Sequence, residues 1–397
     1  MNWRAIRLLA VGGSLLTAQS SLNLNQTGDP SITRPVGSLE IEQLRRDIAD
    51  QSGSSVELIG DYHTESGDLN NRLDYWRAGA RLNYVWQAGT TFYLSGVRTG
   101  YRTLEDVFDG SGLNFTAGIK AAFTESVDGR FEVGATRFNT DTSTVNALAS
   151  VNFRLSDAAS MFFSGSRSNV EESLLSTTGL RPATGPFAGR LVGRVMDNRI
   201  GGGLLYKLPY NFDLSGEGNV GMRDGSNIDN NHFRYASGSL FHSALSDGQD
   251  DPVNSFRLGY QFQYLDFDVN RLGYGGASLT GPNGRPLPPS LIGAGGVSPE
   301  PGPNRAGVGG YFSPQDFMSH TGRAELEGRP SSWLRFRASG FAGTQEYQGS
   351  PMKAVYGFTG TLEWILSDRF SIPVTFMRDN YGPFTQQTLW VRLVVGI

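Results

Sequence analysis

Residues 111–125, SGLNFTAGIKAAFTE, alternate without interruption: Leu113, Phe115, Ala117, Ile119, Ala121 and Phe123 are apolar, and the residues between them are polar or small. A period of two puts one set on one face of a strand and the other set on the opposite face. The run is about twice the usual length of a soluble strand, which is roughly five or six residues. About ten residues, tilted, are what a strand needs to cross a bilayer. The pattern recurs. Trp76, Ala78, Ala80, Leu82, Tyr84 and Trp86 oppose Tyr75, Arg77, Arg81 and Asn83; Val145, Ala147, Ala149, Val151, Phe153 and Leu155 oppose Asn146, Ser150, Asn152 and Arg154. The chain ends in the same way, with Leu389, Val391, Leu393, Val395 and Ile397 opposite Trp390 and Arg392.

Such runs predict sixteen strands, beginning near 54, 73, 90, 111, 128, 143, 160, 195, 211, 231, 254, 313, 333, 354, 370 and 386. Those near 90, 160 and 231 have mixed faces. An open sheet in lipid would leave edge N–H and C=O groups unpaired at several kcal/mol each, so the strands must close. The expected fold is an all-β transmembrane antiparallel barrel over 53–397, wide enough at sixteen strands for an aqueous channel. Trp76, Tyr84 and Trp86 suit its interfacial girdles.

The connections support this. Leu155-Ser156-Asp157, Leu245-Ser246-Asp247 and Leu366-Ser367-Asp368 recur as short even-numbered turns, whereas the long connections, 174–194 and 269–311, follow the seventh and eleventh strands. Odd, long connections face the exterior when the chain of an outer-membrane barrel starts inside. Ahead of the barrel, Arg4 and Arg7 precede an apolar stretch, Leu8–Leu16, and the small residues Ala18-Gln19-Ser20, so 1–20 reads as a secretory signal. The alternative is a frayed, uncleaved tail. Residues 21–52 read as a periplasmic linker with a short helix over 38–50, capped by Ser38 and carrying Ile41, Leu44 and Ile48 on one side.

Chemistry-bearing motifs are sparse. The chain has no Cys, four scattered His and a net charge of −4 without a basic block, which argues against disulfides, a Cys-based metal site and nucleic acid. Gly216-Glu217-Gly218-Asn219-Val220-Gly221 matches a nucleotide-binding spacing, but it sits inside an alternating strand with no helix after it. Asp266 and Asp268 read as rim charges. No catalytic, cofactor or metal site is expected, and an enzyme is not. On the inner face, Arg77, Arg81, Lys120, Arg154, Arg335 and Arg337 would keep a lumen wet or pair across the wall with Glu132, Glu217, Glu325 and Glu327; Glu217, Arg257 and Arg392 are further candidates for a substrate path. Tyr75, Asn83, Gln261, Gln263 and Trp390 offer the stacking faces and amides that a sugar polymer uses, and are equally ordinary pore lining.

The Gly- and Pro-rich connection 269–311 runs into Gly309-Gly310-Tyr311-Phe312-Ser313-Pro314-Gln315-Asp316-Phe317-Met318-Ser319. This GGYFSPQDFMS stretch resembles the signature of the C-terminal outer-membrane barrel in the exporting subunit of bacterial cellulose synthase, an exopolysaccharide export porin. The resemblance implies a sixteen-stranded barrel in the bacterial outer membrane that exports cellulose or a modified glucan. It further implies outer-membrane lipid, a polysaccharide chain, a separate periplasmic tetratricopeptide-repeat protein and an inner-membrane synthase as partners. This sequence departs from the family in holding no such repeats and in ending at Ile397 rather than an aromatic residue. Gly310, Tyr311, Phe312, Ser313, Pro314, Gln315, Asp316 and Phe317 are the expected gate, seated by aromatic packing on the inner wall. The competing functions are a general or solute-specific porin and a barrel-borne hydrolase or adhesin.

Overall fold

The computed structural model describes residues 53–67, 73–87, 89–102, 109–179, 181, 188–246, 253–269, 311, 313–348, 350–367, 369–382 and 384–397. The expected signal, linker and helix over 1–52 and most of the connection 269–311 lie outside the described residues. Sixteen antiparallel strands close into one barrel: β1 (Ser55–Gly67), β2 (Asp74–Gln87), β3 (Thr90–Arg102), β4 (Asp109–Thr124), β5 (Val127–Phe138), β6 (Thr142–Arg154), β7 (Ala159–Asn169), β8 (Gly193–Leu208), β9 (Phe212–Ser226), β10 (Ile228–Ser246), β11 (Ser255–Phe267), β12 (Phe317–Ser331), β13 (Leu334–Tyr347), β14 (Ser350–Ser367), β15 (Phe370–Asp379) and β16 (Phe384–Gly396). Every expected strand is present. Each pairs with its sequence neighbours, and β1 closes on β16 in register from Ser55↔Gly396 to Gly67↔Phe384.

The alternation sets which face meets lipid. Phe115, Val133, Val145, Ile200 and Val220 are exposed on the outside. Trp76, Tyr84 and Trp86 are exposed there too, Trp86 at 68%. The inward set of the same strands is polar and buried, among them Asn83, Asn114, Thr116, Lys120 and Asn152. Asn114 and Lys120 thus face the lumen, as expected. Long side chains from the wall reach one another and the chain after β7. Among the described residues no helix is long and apolar enough to cross a membrane.

One connection breaks the hairpin pattern. After β7 the chain turns inward and forms α1 (Leu174–Thr178). Ser173 caps it: Ser173 Oγ accepts from the Ser176 N–H at 3.1 Å, and Ser176 Oγ accepts in return from the Ser173 N–H at 3.0 Å. Gly179, at φ 71°, ends the helix in a conformation that a residue with a Cβ rarely adopts.

Candidate functional site: the packed polar lumen

The expected pore-lining residues share the inner face, but neighbours occupy most of them. On β2, Tyr75 stacks on His63 of β1 at 4.5 Å between centroids. Arg81 lies 4.0 Å over the Tyr93 ring, and Asn83 donates to Glu57 at 2.6 Å. Lys120 points inward and is buried. Tyr93 donates to Glu132 at 2.6 Å, and Arg130 joins the same carboxylate at 2.7 Å.

Across the barrel, Arg257 bridges Asp213 at 2.8 Å and Glu325 at 3.5 Å. Arg335 lies 3.7 Å from Glu363, and Arg337 lies 3.3 Å from Glu327. Arg392 pairs with Asp61. Gln261 accepts from Arg323 at 2.7 Å. Gln263 bonds to Tyr381 and reaches Tyr235 at 3.4 Å. Trp390 packs on Ile59 and Val97. Glu217 is half-buried and accepts from Ser237 at 3.3 Å. Besides Arg335, which meets Glu363, two further pairing expectations change. Arg154 sits exposed at the periplasmic end and pairs with Asp157 of its own turn. Arg77 pairs with Glu171 of the inward-folded segment.

That segment, 170–179, is the feature of the lumen that the alternation pattern could not show. The sequence places all of 174–194, the connection after β7, outside the cell. Its first part instead lies inside the barrel, with Glu171, Glu172, Ser173, Ser176 and Thr177 all buried. Glu171 takes the Arg77 guanidinium and the Tyr101 hydroxyl, the latter at 2.9 Å, and so spans from the end of β7 to β2 and β3. Burial pushes the Glu171 carboxyl above its usual range, against the opposing pull of Arg77 and Tyr101. Glu172 holds Arg223 of β9 at 3.0 Å, and Asp197 of β8 holds the same guanidinium at 3.3 Å. At the far end, the Thr178 carbonyl accepts from Thr140 at 3.1 Å and from Thr142 at 3.4 Å. Where Arg77, Thr99, Asn114, Thr136 and Glu171 converge, the remaining space is small.

Of the expected gate, Gly310 and Phe312 lie outside the described residues. Tyr311 is fully buried against Val170, Val195 and Ile228, with Arg223 4.8 Å over its ring. It thus packs on the inward-folded segment and on the arginine that holds Glu172. Ser313 and Pro314 are buried, and the Pro314 carbonyl accepts from the Phe267 N–H at 3.1 Å. Gln315 donates to the Asp268 carbonyl at 3.1 Å. The Asp316 N–H donates to Asp266 at 3.1 Å, which fastens the motif to the rim of β11. Phe317 is buried in an aromatic cluster with Phe233, Tyr235, Phe267 and Tyr381. Sequence reasoning misses Glu171, Glu172, Tyr101, Asp197 and Arg223. The only cue is a pair of carboxylates directly after a strand.

Sixteen closed strands with an apolar outer wall and a polar interior define an outer-membrane β-barrel of the channel class. Residues 80–276 match the family described as "Cellulose synthase operon protein C C-terminus". The match ends before the GGYFSPQDFMS stretch. A solved "Bacterial polysaccharide outer membrane secretin" superimposes with a TM-score of 0.59 at 8% identity, covering 87% of this chain and 99% of that one, which shows the shared fold. OccK5 (OpdH) of Pseudomonas aeruginosa, at 12% identity, covers 87% of this chain and 98% of its own with a TM-score of 0.38. CdiB from Acinetobacter baumannii, at 10% identity, covers 85% and 60% with a TM-score of 0.42. No curated protein sequence matches the chain.

Proposed function

We propose that the barrel is the outer-membrane exit for an exopolysaccharide, and that the polymer is cellulose or a modified glucan. The family match over residues 80–276 carries this reading. The interior supports it chemically. Carboxylates, amides and guanidinium groups suit sugar hydroxyls, and Tyr75, Tyr93 and Tyr101 supply ring faces. Passage needs the segment 170–179 to leave its seat, because its carboxylates occupy the arginines that a polymer would meet. The connection carrying Tyr311 is the second gating element, since Tyr311 packs on that segment. A periplasmic tetratricopeptide-repeat protein and an inner-membrane synthase are the proposed sources of the chain.

Planar-bilayer recording tests the reading. Removal of residues 171–178 is expected to raise single-channel conductance, and cello-oligosaccharides added to that open form should block current transiently. Removal of 275–308 should raise conductance by releasing Tyr311. Block by maltose-type and cello-type sugars to the same extent would favour a general porin. A folded 171–178 deletion with wild-type conductance would remove the gating role.

A further inference from the structure

Independent of what passes through the lumen, the outer wall carries arginines where a lipid-facing strand has little use for them. Arg98 of β3 pairs in register with Leu113 of β4, Leu113 with Arg137 of β5, and Arg137 with Ser143 of β6. These four positions form one row across the outer face. One step toward the periplasm the same face is apolar, with Phe115 57% and Val145 58% exposed. The row therefore runs along the extracellular border of the apolar band. Arg98 and Arg137 are exposed and form no ion pair among the described residues.

The row continues past β6. With β7 ended and its chain turned inward, Arg194 of β8 reaches across and donates to the Ser143 carbonyl at 3.2 Å. Arg167 of β7 is exposed on the same face but sits below the row, in register with Ala147 of β6, nearer the periplasm than Ser143; it bonds to Asn198 and lies 3.9 Å from Asp224, the one carboxylate that it meets among the described residues. Arg167 and Arg181 both lie near enough to Arg194 for like charges to repel, with Asp224 the opposing carboxylate. Below Arg167, the wall has a slot where Gly202 and Gly218 present no side chain, bordered by Phe163, Ile200 and Val220. Arg98 and Arg137, two strands apart in one register row, are about 10 Å apart at the backbone, within reach of one phosphate group.

We propose that this face, from β3 to β9, seats a phosphate-bearing glycolipid of the outer leaflet, its phosphates on Arg98, Arg137, Arg167 and Arg194 and an acyl chain in the glycine slot. Charge decides the head: guanidinium groups at the edge of lipid need anions, and bidentate phosphate is their best partner. Location decides the source, because this edge of an outer-membrane barrel faces the lipopolysaccharide leaflet.

The test uses the full barrel in detergent, with folding checked by heat-modifiable gel migration. Purified lipopolysaccharide and its dephosphorylated form are titrated against the wild type, R98Q/R137Q, R167Q/R194Q and the control R369Q in a periplasmic turn. Each double variant should bind lipopolysaccharide about tenfold more weakly, as two lost charge-assisted contacts imply. The control should match the wild type, and dephosphorylated lipid should bind all forms equally weakly. Inorganic phosphate should compete only at high concentration; full competition at low concentration would make this a free-phosphate site. Equal retention of both lipids, or unchanged binding by both folded double variants, would overturn the proposal.

Discussion

At the scale of single residues, the lumen depends on charges that are costly to bury and costlier to orphan. Arg77 and Glu171 are both buried and satisfy each other. Removing one partner of such a pair typically costs about 3–5 kcal/mol, because the other charge stays behind in a dry site. Arg77→Ala should thus unseat the segment 170–179 far more than Glu171→Gln, whose amide still accepts from Tyr101. In planar bilayers the Arg77 variant is expected to show the larger conductance and longer open dwell times. Equal effects would mean that the contact through Tyr101, not the ion pair, holds the segment. The inner position of Arg77 was legible from alternation. Its partner was not, because Glu171 lies outside any strand and period two says nothing about where a connection folds. The same blindness hid Arg223, whose partners Glu172 and Asp197 come from two different elements.

At the scale of elements, the strands were written into the sequence and the inward segment was not. The expected starts fall close to the observed ones, the largest differences being at β12, expected near 313 and beginning at Phe317, and at β14, expected near 354 and beginning at Ser350. The mixed faces have a physical cause. β10 reverses the usual polarity at its extracellular end, where Phe233 and Tyr235 turn inward to the aromatic cluster and His232 and Arg234 turn out to pair with Asp268 and Asp266. That end lies above the lipid band, so the outer face no longer has to be apolar. β3 similarly sends Tyr93, Val97 and Tyr101 inward onto arginines and the neighbouring wall. The seat of α1 rests on close backbone approach. A Cβ at Gly193, where φ is 91°, would lie 2.3 Å from the Leu175 carbonyl oxygen. Gly193→Ala should cost about 1–3 kcal/mol through the strained dihedral and the clash together. Because the β8 ladder is already irregular there, the strain should be relieved by displacing α1 rather than by unfolding the barrel. Heat-modifiable migration should stay at wild-type temperature while channel noise increases; a lowered melting temperature with unchanged conductance would place the damage in the strand instead.

At the scale of the whole molecule, closure and parity fix orientation together. With sixteen strands, β1 meets β16 antiparallel and both chain ends of the barrel leave on one side: Ser54 accepts from the Ile397 N–H at 2.9 Å. All odd connections then open on the opposite side, which includes the inward segment, the GGYFSPQDFMS stretch and the arginine border. Outer-membrane barrels leave short turns in the periplasm, and the two long connections here, 170–192 and 268–316, are both odd. The gate and the lipid seat both depend on that orientation, and the absence of native cysteine makes it testable without a background. Asp141→Cys lies in the odd turn between β5 and β6 and is exposed; Tyr210→Cys lies in the even turn between β8 and β9 and is 87% exposed. Both positions already have positive φ, 55° and 63°, and neither side chain packs in the wall, so the barrel should tolerate both changes. On intact cells an impermeant maleimide should label the Asp141 variant and leave the Tyr210 variant unlabelled until the outer membrane is breached. Labelling of Tyr210→Cys alone on intact cells would invert the barrel, place the arginine border against the inner leaflet and put the segment 170–179 at the periplasmic mouth.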